Sequence, residues 1–161
     1  MKPKIFISRP IPDTVVNRLT EVCEVDMWPT SQTLPPIGEK IFNLDGLMTY
    51  GHEPVTAYMM DSAPNLKVIT AVGVGYDHID AIEAKKRQIS VGNTPDVLSD
   101  TTADMTFALL LSAARNIVRG NTFVQNEEWS YYDPNILWGQ EVHHATIGIV
   151  AVSYTHLRAH E

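Results

Sequence analysis

Residues 67–80 read KVITAVGVGYDHID and place an apolar run, two glycines and the start of an amphipathic helix directly one after another. The run Lys67–Val72 has the length and the β-branched content of a buried strand, and residues 79–88 have the apolar spacing of a helix. Open α/β sheets bind ligands where the carboxyl end of a strand turns into the next helix. This stretch therefore predicts a βα unit with Gly73 and Gly75 at a candidate ligand-binding turn.

The same alternation of strand and helix recurs from the first residues of the chain to about residue 98. Short apolar runs alternate with helical stretches that begin at Pro or Asp, which is typical of repeated βα units around a parallel sheet. The predicted strands are Lys4–Ser8, Glu24–Trp28, Gly46–Tyr50, Lys67–Val72 and Ile89–Val91. We therefore predict an α/β domain over residues 1–98, with a flavodoxin-like, doubly wound parallel sheet.

A different pattern follows Leu98. Ser99 or Asp100 can cap a long helix that has Asp104 in its first turn and ends at Gly120. Its interior is apolar on nearly every side, which predicts burial between domains or subunits. Residues 145–150 have the composition of one more buried strand. We predict that residues 99–150 hold an interdomain helix, a loop and the first strand of an incomplete second domain, and that 151–161 form an anomalous tail.

Composition limits the classes of partner. Nineteen acidic and twelve basic residues give a net charge of −7, which disfavours nucleic acid and anionic membrane surfaces. A single cysteine, Cys23, excludes an internal disulfide framework and predicts a cytoplasmic protein. The longest apolar run, residues 107–111, is too short to cross a bilayer. These features favour a small-molecule or protein partner.

Several residues could carry chemistry. The N–H groups around Gly73 and Gly75 could hold a carboxylate, or the segment could be a tight turn in which Asp77 or His78 caps the next helix. Residues 50–52, which include Gly51, follow the third strand and could line the same cleft. We predict no metal site, because adjacent histidines on an extended segment such as 143–144 point in opposite directions. The aromatic cluster of Trp129, Tyr131, Tyr132 and Trp138 has no interleaved basic residues, which favours interface or core packing over base stacking.

Residues 72–80 and 91–104 resemble the D-isomer-specific 2-hydroxyacid dehydrogenases, and most of all their glyoxylate/hydroxypyruvate reductase branch. The similarity runs in register from about residue 5 to residue 150. The resemblance implies that Val74 and Gly75 bind the substrate carboxylate through their N–H groups, and that Val74 and Thr102 contact NAD or NADP. It also implies a homodimer and a Rossmann domain that begins at residues 146–150. Gly51 is a further substrate-binding candidate, because the end of the third strand lies at the same sheet edge as Gly75.

The sequence departs from the family at its end. The family's glycine motif would place glycines at positions 151, 153 and 156, where this chain has Ala151, Ser153 and His156. The family's catalytic Arg, Glu and His correspond to positions beyond residue 161, so no catalytic residue is assigned. The tail resembles adapter-derived sequence joined to a truncated gene, and a natural short tail is the alternative.

The function implied by the resemblance is reduction of a small 2-oxo acid, glyoxylate or hydroxypyruvate, to the D-2-hydroxy acid. We expect the complete enzyme to use NADH or NADPH and the present chain by itself to be inactive. The alternative is a non-catalytic binding or co-repressor protein on the same scaffold, because a fold does not determine a function.

Overall fold

The computed structural model describes residues 1–150, and the chain divides into two compact units between Asp96 and Val97. This division lies close to the predicted boundary, and the roles predicted for the two parts remain predictions. Ala151, Ser153 and His156, which carry the predicted loss of the glycine motif, lie outside the described residues. The two units are described separately below.

The first unit is a five-stranded parallel sheet with connecting helices. In chain order its elements are β1 (Lys4–Ile7), α1 (Asp13–Val22), β2 (Glu24–Met27), α2 (Ile37–Lys40) with a 3-10 turn (Ile41–Asn43), β3 (Gly46–Thr49), α3 (Ala57–Asp61), β4 (Val68–Ala71), α4 (Ala81–Lys86) and β5 (Ser90–Gly92). The strand order is β2-β1-β3-β4-β5, and every neighbouring pair is parallel. This order is that of flavodoxin-like sheets, so the predicted fold is confirmed.

One row of side chains across the sheet forms the centre of the core. Phe6 pairs with Leu47, Leu47 with Ile69 and Ile69 with Val91, so four neighbouring strands place an apolar side chain on the same face. Phe6 and Ile69 are 0% exposed, and Val91 packs against the buried cluster. Right-handed crossovers place α2, α3 and α4 on one face of the sheet and α1 on the other. The buried cluster includes residues of all three helices of the first group.

The helix after β4 begins later than predicted. Asp80 is its cap, with a side-chain oxygen that accepts a hydrogen bond from Glu83 N at 3.0 Å. The prediction that Asp77 or His78 caps this helix is wrong. Ile79 N donates to Tyr76 O at 2.9 Å, which closes a separate turn over residues 76–79 before the helix begins.

The second unit, over its described residues, contains α5 (Ser99–Ala114) and α6 (Ile117–Gln125) in place of one long helix. Ser99 is the first helical residue and Asp100 lies in the first turn, so neither residue is the cap. The predicted stop at Gly120 is also wrong, since Gly120 N donates to Asn116 O at 2.8 Å within α6. The chain turns at Asn116, which has a φ of 53°.

One further prediction for the second unit fails within the described residues. Residues 145–150 form no strand, because residues 97–150 contain no other strand with which they could pair. The aromatic cluster is not part of a core among residues 1–150, since Trp129 is 58% exposed and Trp138 is 74% exposed, and its packing at an interface stays a prediction. Apolar residues of α5 are exposed as well, with Leu109 at 63%. Burial of this helix against a partner domain or subunit stays a prediction.

Candidate functional site

The strand order defines a crevice at the carboxyl ends of β1 and β3. These strands are neighbours, but the chain leaves β1 toward one edge of the sheet and leaves β3 toward the other. Parallel sheets bind ligands at such topological switch points. Ser8 and Arg9 follow β1 here, and the turn of residues 50–53 follows β3.

A buried carboxylate fills this switch point. Glu53 is 2% exposed, and its Oε2 accepts hydrogen bonds from Ser8 Oγ and, at 2.9 Å, from Tyr50 N. Its Oε1 accepts from Arg9 Nε at 2.7 Å, and Arg9 Nη1 donates to Ser31 O at 2.9 Å. Burial of a charge is costly unless the charge is paired and hydrogen-bonded, and Glu53 meets both conditions. Glu53 therefore joins the turns that follow β1 and β3.

The same network sets the environment of Tyr50. Burial raises the pKa of the Tyr50 phenol, and the nearby negative charge of Glu53 raises it further, whereas Arg9 opposes the shift. The phenol therefore stays neutral and can donate a hydrogen bond at neutral pH. Gly51, the next residue, is exposed, and a Cβ added there would meet no atom within 4 Å. Gly51, the predicted substrate contact, thus has open space beside it. It lies on the turn in which Tyr50 N donates to Glu53.

His78 connects the end of β3 with the loop that follows β4. Its Nε2 lies 2.9 Å from Thr49 Oγ1, and its carbonyl oxygen accepts a hydrogen bond from Val55 N at 2.8 Å. Desolvation lowers the pKa of the imidazole, opposed by the charges of Glu53 and Asp77. His78 therefore links the end of β3 to the loop after β4 through hydrogen bonds. The sequence alone indicates His78 only as a possible cap of the next helix.

The glycine loop, residues 73–75, presents free N–H groups at the carboxyl end of β4. Gly73 has a φ of +152°, a conformation that side chains disfavour. Among the described residues 1–150, no acceptor bonds to the N–H of Val74 or of Gly75. Successive main-chain N–H groups of this kind can bind an anion, because each unpaired donor gains a hydrogen bond to the ligand.

The predicted site residues divide between the two units. Val74 is half-buried and Gly75 is exposed in the glycine loop. His78, three residues after this loop, contacts Thr49 and Val55, which lie on either side of the turn that contains Gly51. Thr102 lies on α5 of the second unit, where its N–H donates to Leu98 O at 3.0 Å. The roles of these residues in substrate and cofactor binding stay predictions.

The described residues contain neither a metal-binding cluster nor a membrane-spanning helix. Residues 1–150 hold no group of three or more His, Cys, Asp or Glu side chains that could bind a metal ion. None of the helices described here has the length and apolar character needed to cross a bilayer.

Sequence reasoning missed Glu53 and Asn93. Glu53 lies in a turn of polar residues, and its burial depends on Ser8 and Arg9, more than forty positions earlier. Asn93 Nδ2 donates to Val74 O at 2.8 Å, a contact across two strand ends that no local pattern shows. The switch-point rule could have identified Glu53, because it directs attention to the residues after β1 and β3.

Comparison with known proteins decides the family. Residues 5–156 match the family described as D-isomer specific 2-hydroxyacid dehydrogenase, catalytic domain. The chain belongs to this family. Among curated relatives of this D-2-hydroxyacid dehydrogenase chain, a protein of Pyrococcus furiosus named glyoxylate reductase is 42% identical over 156 residues, which cover 93% of this chain and 46% of that protein. A Korarchaeum cryptofilum protein of the same name is 38% identical over 157 residues, covering 94% of this chain and 47% of the relative.

Solved structures of the family have the same fold. A Thermus thermophilus protein superimposes with a TM-score of 0.80 at 34% identity, covering 85% of this chain and 45% of that one. An NADPH-dependent glyoxylate/hydroxypyruvate reductase of Sinorhizobium meliloti, solved with NADP and malonate, gives a TM-score of 0.69 at 26% identity, covering 89% and 44%. The present D-2-hydroxyacid dehydrogenase chain spans about half the length of the curated relatives it matches.

The described residues do not themselves form a dinucleotide site. Pyrophosphate binding in Rossmann domains needs a strand, a glycine turn and a helix N-terminus in sequence. Residues 97–150 contain two helices and no strand. Residues 97–150 therefore lack the strand and glycine turn that would hold the pyrophosphate of a nicotinamide cofactor.

Proposed function

We propose that the glycine loop binds the carboxylate of a small 2-oxo or 2-hydroxy acid through the N–H groups of Val74 and Gly75. The observation that carries this proposal is the pair of consecutive N–H donors without a protein acceptor in residues 1–150, at the carboxyl end of a parallel strand. Two charge-assisted hydrogen bonds of this kind give orientation as well as affinity. Tyr50 and Gly51, which follow β3, lie at the same edge of the sheet.

The proposed reaction of the complete protein is reduction of glyoxylate or hydroxypyruvate to the D-2-hydroxy acid, with NADH or NADPH as hydride donor. Names of relatives support it, since similar archaeal proteins are called glyoxylate reductases. The Sinorhizobium meliloti reductase was solved with NADP and with malonate, which is a dicarboxylate. A homodimer is proposed on the exposed apolar residues of α5.

A titration of the 161-residue chain with oxalate tests the carboxylate site, because oxalate resembles glyoxylate and is not reduced. We expect the amide NMR signals of Val74 and Gly75 to shift, with a Kd on the order of millimolar for two hydrogen bonds in an open site. Gly75→Val should weaken binding roughly tenfold, the effect of misplacing one charge-assisted bond. Gly148→Val is the control outside the loop, since a Cβ at Gly148 meets no atom within 4 Å and one at Gly75 meets only Asp77 Oδ2, at an ordinary contact distance of 3.5 Å. Shifts confined to other residues would refute the assignment.

We also propose that the 161-residue chain alone does not reduce a 2-oxo acid. Side chains at Ala151, Ser153 and His156 stand where the resemblance expects glycines, and they would block approach of a pyrophosphate to the backbone. The test measures NADH and NADPH fluorescence and glyoxylate-dependent loss of absorbance, with the Pyrococcus furiosus relative as positive control. We expect neither cofactor binding nor turnover. Turnover by this chain would contradict the proposal and leave its carboxylate site unaffected.

A further inference from the structure

The segment after β5 holds two successive carbonyl groups of the glycine loop. Thr94 N donates to Gly73 O at 2.9 Å, and Asn93 Nδ2 donates to Val74 O at 2.8 Å. Asn93 is half-buried. Its amide nitrogen must face the loop, because a carbonyl oxygen only accepts hydrogen bonds. The two peptide planes that follow Gly73 and Val74 are thus both fixed from the side of β5.

The orientation of these carbonyls determines where the candidate donors point. In a planar trans peptide the C=O and the N–H point in opposite directions, and residues 1–150 contain no cis peptide bond. The bond at Gly73 O therefore directs the Val74 N–H away from β5, and the bond at Val74 O directs the Gly75 N–H the same way. Both proposed carboxylate donors are aimed by residues 93 and 94.

We propose that Asn93 is a positioning residue for carboxylate binding, an inference that rests on the proposed function of the glycine loop. Glycines on both sides of Val74 leave this peptide unusually free to rotate, so an external hydrogen bond is needed to hold it. Within the described residues, Asn93 is the side chain that bonds to a carbonyl of the loop. Asn93 acts through the Val74 peptide without touching the ligand.

The experiment compares Asn93→Ala with Asn93→Gln, which keeps an amide donor on a longer side chain. Asn65→Ala is the control, because Asn65 is an exposed asparagine just before β4, at the opposite end of that strand. Residual dipolar couplings give the directions of the Val74 and Gly75 N–H bonds without ligand, and an oxalate titration gives the Kd. Urea denaturation checks that each variant is folded.

We expect Asn93→Ala to reorient the Gly75 N–H and to raise the Kd for oxalate roughly tenfold, the effect of one lost hydrogen bond. Asn93→Gln should bind oxalate more tightly than Asn93→Ala, and Asn65→Ala should bind like the unmodified chain. An unchanged Gly75 N–H direction in Asn93→Ala would overturn the positioning role, whether or not oxalate binds. Absence of oxalate binding by the unmodified chain would instead overturn the proposed function, so the two failures are distinguishable.

Discussion

Replacement of Glu53 by alanine tests how much the ion pair and hydrogen bonds of this buried carboxylate stabilise the first unit. The substitution removes a carboxylate that accepts from Ser8 Oγ, from Arg9 Nε and from Tyr50 N. Ser8 is 0% exposed, so water cannot replace the lost acceptor there. Because the Arg9 side chain is 20% exposed and keeps its bond to Ser31 O, its positive charge stays partly hydrated after Glu53 is removed.

The expected loss of unfolding free energy follows from these exposures. Removal of one partner from a buried ion pair typically costs about 3–5 kcal/mol, because the other charge loses its compensation. Partial hydration of Arg9 places Glu53→Ala near the lower end, at about 3 kcal/mol of unfolding free energy. With a urea slope of about 2 kcal/mol per molar, the unfolding midpoint should fall by roughly 1.5 M.

Urea denaturation followed by the amide NMR signals of the sheet measures this change in the first unit separately from the second. Glu39→Ala is the matched control, because Glu39 is exposed on α2 and should change stability by no more than about 0.5 kcal/mol. Glu53→Gln should also destabilise, since its amide group would face Arg9 Nε or Tyr50 N, which are donors themselves. A loss below about 1 kcal/mol for Glu53→Ala would refute the reasoning, since that is the range of exposed pairs.

Two other substitutions give predictions of defined sign. Gly139→Ala should destabilise the end of α5 by about 1–3 kcal/mol, because the new Cβ would clash with the backbone carbonyl of Ala114. Hydrogen exchange of the Gln140 amide, which donates to Ala114 O, measures this effect. Gly148→Ala is the control in open space, and an equal effect there would contradict the prediction. Desolvation lowers the pKa of His78 below its usual 6.5, so the unfolded chain binds the extra proton first and the unfolding free energy falls as pH decreases below about 6.5. His78→Asn should flatten the pH dependence of the unfolding free energy over that window, and an unchanged slope would show that His78 does not cause it.

The sequence predicted the sheet well because its signals are local. Each strand is a short apolar run next to a turn, and one row, Phe6, Leu47, Ile69 and Val91, supplies the core from the centres of four strands. Periodicity alone detects such runs. The family resemblance then directed attention to Val74 and Gly75, whose N–H groups lack a protein acceptor within residues 1–150.

The failures concern features that depend on distant residues. The helix after residue 98 ends at Ala114 because Gln140 N donates to Ala114 O at 2.7 Å and Asn116 Nδ2 donates to Trp138 O at 2.7 Å. Neither contact is visible in the local pattern, whereas Gly120 is a conventional stop signal. Glu53 was missed for the same reason, since its partners lie in a different βα unit.

The filled switch point also explains why the candidate donors lie after β4. A ligand carboxylate entering between β1 and β3 would meet the buried charge of Glu53, and the guanidinium that could attract it already donates to Glu53 and to Ser31. The positive charge of Arg9 is already paired with Glu53, so an anion at this crevice would meet the negative charge of Glu53 together with that of the guanidinium. At the next strand of the sheet, the N–H groups of Val74 and Gly75 lack such partners among residues 1–150. Glu53 thus joins the turns that follow β1 and β3, and the glycine loop remains the proposed anion-binding site.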